Sequence, residues 1–328
     1  MPHTPHQIAL ILLLVCGSAR GAYLFDRQIC TGLGDRLGTM LSLAALAHLK
    51  GETVVFQWCT TGAEFDGLSH LKQHIPDWQG YAYPPAHHVQ EVLSLPAEIH
   101  LVHANLTEAE RNLPQVMERW TRDAQSLPAV EGLDAVYSYA WRVYQLGDDP
   151  ASGEQFQAAY HKVCSPMVAR ARRASRGTYV AVHLRLRDNN TYAPYPSEYE
   201  NGRLYCTGKV IRRLLKAGHR LLAVSNDPEL AAELLDGRVE VVQNGDPVED
   251  LSLLLGASAI VQHMWRGWSA FSSVPALAAR IPLLTTFKGT YHHRLDFFRQ
   301  YGPLPEEMYE CHQMDAFERA LHSIHPLH

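Results

Sequence analysis

His183, Arg185, Arg187 and Asp188 crowd the end of a short apolar run, residues 178–188, reading T-Y-V-A-V-H-L-R-L-R-D. Its first half, residues 179–184, is rich in β-branched and aromatic side chains and predicts a buried strand. In a parallel α/β sheet, ligands bind beyond the carboxyl ends of the strands. A histidine and two guanidiniums placed there select for an anion. Residues two apart on a strand share a face, so Arg185 stands on the side of His183. Its planar guanidinium matches two phosphate oxygens at once. The competing reading is a strand end with solvated charges.

A second polar group comes much earlier. Thr31-Gly32-Leu33-Gly34-Asp35-Arg36 joins a first predicted strand, residues 23–30, to an apolar helix over residues 37–50. Glycines at such a turn let a backbone approach a ligand, and the helix N-terminus behind them favours phosphate. The spacing departs from the dinucleotide fingerprint G-x-G-x-x-G, because residue 37 is Leu. A plain tight turn is the other reading. Gly51 fits the end of the helix, and residues 53–58 predict the second strand.

Two α/β halves must position these groups. Residues 60–98, with Pro76, Pro84, Pro85 and Pro96, read as irregular, and residues 99–103 as a third strand. Residues 107–127 and 153–175 read as helices, while residues 136–143 fit either class. The basic run Arg170-Ala171-Arg172-Arg173 suits a helix C-terminus, and the boundary between the halves falls beside it. Beyond it, predicted strands 179–184, 219–225, 239–243, 258–262 and 281–285 alternate with helices 207–216, 229–235, 248–255 and 268–279. Such repetition implies a parallel sheet with right-handed crossovers. The tail, residues 304–325, reads as helical. The expected domains are residues 22–172 and 173–328.

Composition narrows the function. The chain has 328 residues, 46% of them hydrophobic, and a formal net charge of −5, so no global basic field recruits nucleic acid. The N-terminal apolar run, residues 8–15, followed by small residues, fits a secretory signal over residues 1–21 or a short anchor. No later run approaches membrane-spanning length. Asn105-Leu106-Thr107 and Asn189-Asn190-Thr191 are glycosylation sequons, in keeping with a lumenal destination in the secretory pathway. Among six cysteines, Cys30 and Cys59 fall at the ends of the first two predicted strands, where they either bridge or stay as buried thiols. The 19 histidines include no H-E-x-x-H, and the pairs His87-His88 and His292-His293 point apart, so no metal is expected.

In order along the chain stand G-L-G-D-R (residues 32–36), H-L-R-L-R-D (183–188), S-N-D-P (225–228), E-D-L (249–251) and S-A-F-S (269–272). Together they resemble the fucosyltransferase superfamily that includes α-1,2- and α-1,6-fucosyltransferases and protein O-fucosyltransferases. The resemblance spans about residues 22–285. It implies a GT-B fold, in which two Rossmann-like domains face each other across a cleft. It also implies GDP-fucose as donor, a glycan or glycoprotein hydroxyl as acceptor, an inverting mechanism, and no cofactor. The sequence contains no D-x-D, the metal–diphosphate clamp of GT-A enzymes.

The leaving diphosphate would then be neutralised by protein groups. Arg185 takes that role by analogy, helped by backbone N–H groups near Gly32 and Gly34 and at the helix start around Ser269, Phe271 and Ser272. His183 orders the motif, beside Ser225 and Asn226. Asp227 or Asp250 accepts from the guanine N1–H and amino group. Two departures stand out. The family's Asn-Gln or Asn-Arg is Asp35-Arg36 here, so either Arg36 pairs with Asp35 or Asp35 faces the acceptor as general base. Asp188, Glu64 and Asp66 are rivals for that role. Arg187 lies inside the second motif, as a diphosphate contact or a partner of Asp188. Tyr and Trp side chains in residues 60–98 and 188–204 suit stacking on sugars, while most of them read equally as ordinary loop anchors. A non-catalytic nucleotide or glycan binder of the same fold, or a transferase using another nucleotide sugar, fits the same residues.

Overall fold

The computed structural model describes residues 22–25, 33–50, 53–58, 84–96, 98–103, 150–175, 177–186, 204–243, 245–264, 269–285 and 308–324. The first sheet is parallel, in the order β1 (Ala22–Phe25), β2 (Thr53–Trp58), β3 (Ile99–His103). Helix α1 (Leu33–Lys50) links β1 to β2, and α2 (Ala86–Leu93) precedes β3. Within a stretch expected to be irregular, α2 forms because Val89 and Leu93, four apart, bury one stripe. The long helix α3 (Pro150–Ala174) follows.

The second sheet holds β4 (Val180–Arg185), β5 (Leu221–Ser225), β6 (Glu240–Val241), β7 (Ala259–Met264), β8 (Leu283–Thr285) and β9 (Met308–Glu310). Between them run α4 (Tyr205–Lys216), α5 (Pro228–Leu235), α6 (Pro247–Gly256) and α7 (Ala270–Ala279); α8 (Met314–Ile324) closes the chain. All pairings are parallel, in the order β6-β5-β4-β7-β8-β9. That is the doubly wound order 3-2-1-4-5-6, and it reverses direction between β4 and β7. The tail therefore differs from the helical expectation: it first adds the edge strand β9 beside β8, and the helix starts only at Met314.

Alternation along the strands sorts the two faces. Ala181, Leu222, Ile260 and Leu283 join one core with α1, α3, α6 and α7. Val182, Ala223, Val261 and Leu284 join another with α4, α5 and α8. Helix α3 packs on α1 and also on α6 and α7, so the core of the first sheet runs into that of the second.

Cys206, at the start of α4, is bridged to Cys311 just after β9, with Cα atoms 6.4 Å apart. Cys164 is a buried free thiol, pushed up by burial. Cys30 and Cys59, the pair weighed from the sequence, lie outside the described residues, as do residues 107–127 and 136–143, both sequons, the N-terminal segment 1–21 and the loop aromatics. Among the described residues, no helix is long and apolar enough to cross a membrane.

Candidate functional site

In open parallel sheets ligands bind at the carboxyl ends of the strands where the order reverses, and the residues predicted at the end of β4 lie at that point, between β4 and β7. In register, His183 of β4 stands opposite Gln262 of β7, which stands opposite Thr285 of β8. All three are buried polar residues on the face that α7 covers. Beyond them, Arg185 is half-exposed at the end of β4. The His183 ring lies 5.3 Å from the Phe271 ring of α7, tilted by 37°.

Burial sets the charge of this row. His183 is pushed down to about 3, chiefly by desolvation, then by the positive charge of Arg185 and by His263. At neutral pH it is an uncharged imidazole, and its buried Nδ1 has no hydrogen-bond partner among the described residues. The positive charge that acts on it from the end of β4 is that of Arg185.

Two helix N-termini meet beside this row. Ser269 is the first residue before α7, and its carbonyl accepts from the backbone N–H groups of Ser272 and Ser273. Ser269, Ser272 and Ser273 are all buried. Helix α1 starts at Leu33, so Gly34, Asp35 and Arg36 form its first turn rather than a loop ahead of it. Gly34 has ordinary helical geometry; what needs glycine there is proximity. A Cβ at residue 34 would lie 2.3 Å from the Phe271 nitrogen and 2.5 Å from the Ala270 carbonyl carbon. The Arg36 side chain is fully buried behind that contact. Each helix start carries partial positive charge, and here two are apposed. Gly32 and the Asp35 side chain lie outside the described residues, as do Arg187, Asp188, Glu64 and Asp66.

The Ser225–Asp227 cluster is built into the scaffold. Ser225 Oγ donates to the Leu184 carbonyl at 2.8 Å and accepts from the Asp227 N–H. Asn226 Oδ1 accepts from the Leu186 N–H at 2.9 Å. Asp227 Oδ1 caps α5 by accepting from the Leu230 N–H at 3.0 Å. These bonds tie the carboxyl ends of β5 and β4 together and so fix Arg185. Asp250 sits in the first turn of α6, with Oδ1 sealed from solvent and without a hydrogen-bond partner among the described residues. Desolvation, then Asp246 and Glu249, push it up to about 7.

The sequence reading missed Gln262 and Thr285, which only strand register brings beside His183. It also missed His263, which faces the opposite side of the sheet. His263 shares a 2.5 Å hydrogen bond with Thr207 of α4, and burial holds it down at about 4. Among the described residues, no three His, Cys, Asp or Glu side chains gather as a metal site.

The chain is a parallel α/β protein whose six-stranded sheet reverses its strand order between β4 and β7. No protein-family model matches the chain, and no curated protein is similar to it in sequence. Among solved structures, it is similar to E. coli heptosyltransferase WaaC with ADP, at 12% identity and a TM-score of 0.46, over 93% of this chain and 100% of that one. It is also similar to NodZ alpha-1,6-fucosyltransferase soaked with GDP-fucose, at 12% identity and a TM-score of 0.43, over 81% of this chain and 95% of that one. At these scores the likeness carries no argument about activity.

Proposed function

We propose that the protein is a GT-B-type, inverting, metal-independent glycosyltransferase that moves fucose from GDP-fucose to a hydroxyl of a glycan or glycoprotein in the secretory pathway. The observation that supports it most is the switch point itself. There Arg185, the start of α7 and the start of α1 converge at the carboxyl ends of β4 and β7, a place suited to a diphosphate. The Cys206–Cys311 bridge fits an oxidising lumen.

On this reading, the acceptor oxygen attacks the anomeric carbon from the face opposite the nucleotide. The anomeric C–O bond to the diphosphate breaks, and its electron pair leaves with GDP. Arg185 and the helix N–H groups stabilise that charge as it develops. Asp35 is the candidate base for the acceptor proton. A second reading, a non-catalytic binder, draws on the same Asp35, which stands where the resembled family has Asn.

The test is a thermal shift on the full chain with GDP, UDP and ADP, beside Arg185→Ala. Saturation at 100 times Kd stabilises a fold by about 2.7 kcal/mol. A shift with GDP alone, lost in the variant, supports the donor site. A shift with UDP or ADP instead moves the reading to another donor. No shift with any nucleotide in folded protein overturns it. GDP binding without turnover of GDP-fucose, across acceptors, selects the non-catalytic reading.

A further inference from the structure

On the face of the sheet away from α7, a second set of polar groups holds the same strand ends. In register, Leu184 of β4 stands between Ser225 of β5 and His263 of β7, and the next pair outward is Arg185 with Met264. His263 is buried on the α4 side, where its Nδ1 shares a 2.5 Å hydrogen bond with Thr207 Oγ1. Thr207 is fully buried in the first turn of α4. Its neighbour Cys206 is bridged to Cys311, so the start of α4 is held covalently on one side and by the Thr207–His263 bond on the other.

We propose that Thr207 and His263 are positioning residues for the switch point: their bond, backed by the Cys206–Cys311 bridge, fixes the carboxyl end of β7 and through it the start of α7. His263 is the last residue but one of β7, and residues 265–268 alone separate that strand from Ser269, where α7 begins. The same strand end carries Gln262 on the opposite face, beside His183, and sets Met264 against Arg185. Consecutive residues of a strand are rigidly linked and alternate in direction, so a shift of β7 moves the groups on both faces together. If the protein is the glycosyltransferase proposed above, a reading on which this consequence rests, the groups so placed are those around the donor diphosphate.

A polar pair does here what an apolar pair would not. Apolar side chains would pack β7 against α4 without setting a direction, whereas a hydrogen bond fixes both length and angle. Burial holds His263 down at about 4, so at neutral pH the bond joins two uncharged groups. Removing the hydroxyl takes a partner from a buried ring nitrogen, a loss that solvent does not make good at a buried site.

Hydrogen exchange of the full chain tests this. It is read at the Ser272 and Ser273 amides, which bond to the Ser269 carbonyl, with the β5 amides as reference. Thr207→Val removes the hydroxyl and keeps the shape. The expected result is protection at Ser272 and Ser273 about tenfold lower than in wild type, with a smaller change in β5. Thr207→Ser, which keeps the hydroxyl, restores it. Wild type with the bridge reduced loses protection at the same two amides. Leu321→Ala opens a cavity in the core of that face and lowers both sets of amides alike. Unchanged protection at Ser272 and Ser273 in reduced wild type overturns the proposal, even where Thr207→Val does not fold. An equal loss in β5 and α7 of folded Thr207→Val overturns it too, as does a selective loss of the same size in Leu321→Ala.

GDP affinity separates this proposal from the donor site itself. If wild type binds GDP, Thr207→Val should bind it about tenfold more weakly and Thr207→Ser as wild type does; equal affinity in all three overturns the role at the donor site. If wild type binds no nucleotide, the donor reading fails and the exchange measurement alone decides whether the bond positions α7.

Discussion

The backbone of Gly34 lies directly against the backbone of Phe271, closing the gap between the first helix of one sheet and the helix over the switch point of the other. A Cβ at residue 34 would come within 2.3 Å of the Phe271 nitrogen. The obstacle is main chain, which cannot rotate aside as a side-chain tip can.

Gly34→Ala is the first prediction. In an unhindered helix, alanine is favoured over glycine by about 0.8–1 kcal/mol. Here overpacking opposes that gain at about 1–3 kcal/mol, so the net effect is destabilisation. Urea unfolding reads its sign. The same substitution should weaken any nucleotide-induced thermal shift, because it pushes apart the two helix starts beside the switch point.

Asp227 separates a structural from a recognition role. Asp227→Ala should cost about 1 kcal/mol by uncapping α5. Asp227→Asn keeps a capping oxygen and should leave stability near wild type. If that variant also retains the preference for GDP over ADP and UDP, the guanine contact belongs elsewhere. If the preference is lost, Asp227 both caps the helix and reads the base.

The bridge between Cys206 and Cys311 closes a loop with a sequence separation of 105. Chain-entropy reasoning gives about 4–5 kcal/mol for a loop near that length. Cys206→Ser should lower the melting temperature strongly, and reductant should then have little further effect. Wild-type protein treated with reductant should melt close to the variant. A variant that melts like untreated wild type would show that the bridge contributes nothing.

His263 should mark the acid limb of stability. Its folded-state value of about 4 lies below that of an exposed histidine, about 6.5. A depressed value gives stability that is present above the unfolded value and lost as pH falls. Between pH 6.5 and 4, wild type should therefore lose more stability than His263→Gln, which can keep a bond to Thr207 but cannot take up a proton. Denaturant midpoints across that range measure the difference.

Much of the framework was legible in the chain. Strands β2 and β3 occupy the predicted residues, and β4, β5, β7 and α4 to α7 lie within a few residues of their predicted positions. These elements are short apolar runs or amphipathic stretches bounded by Gly, Pro and capping residues, so local chemistry specifies them. Local reading failed at α2, whose prolines suggested irregularity. It failed at the start of α1, because Gly34 signals a loop unless a neighbour requires close approach. It failed at β9, since a three-residue edge strand is recognised only beside the strand it joins.

The sequence by itself determined the alternating α/β plan and the placing of His183 and Arg185 on one face at the end of a strand, because these depend on residue type and near-neighbour spacing. Tertiary structure alone decided which groups share a site. The order β6-β5-β4-β7-β8-β9 placed His183 beside Gln262 and put the reversal of strand order between β4 and β7. Packing of α1 on α7 turned Gly34 from a loop residue into a helix contact, and long-range folding joined His88 to Asp246 and Cys206 to Cys311. The physical reason is that strand register, helix apposition and desolvation are set by residues a hundred or more positions apart in some of these pairs, and no local pattern encodes that separation.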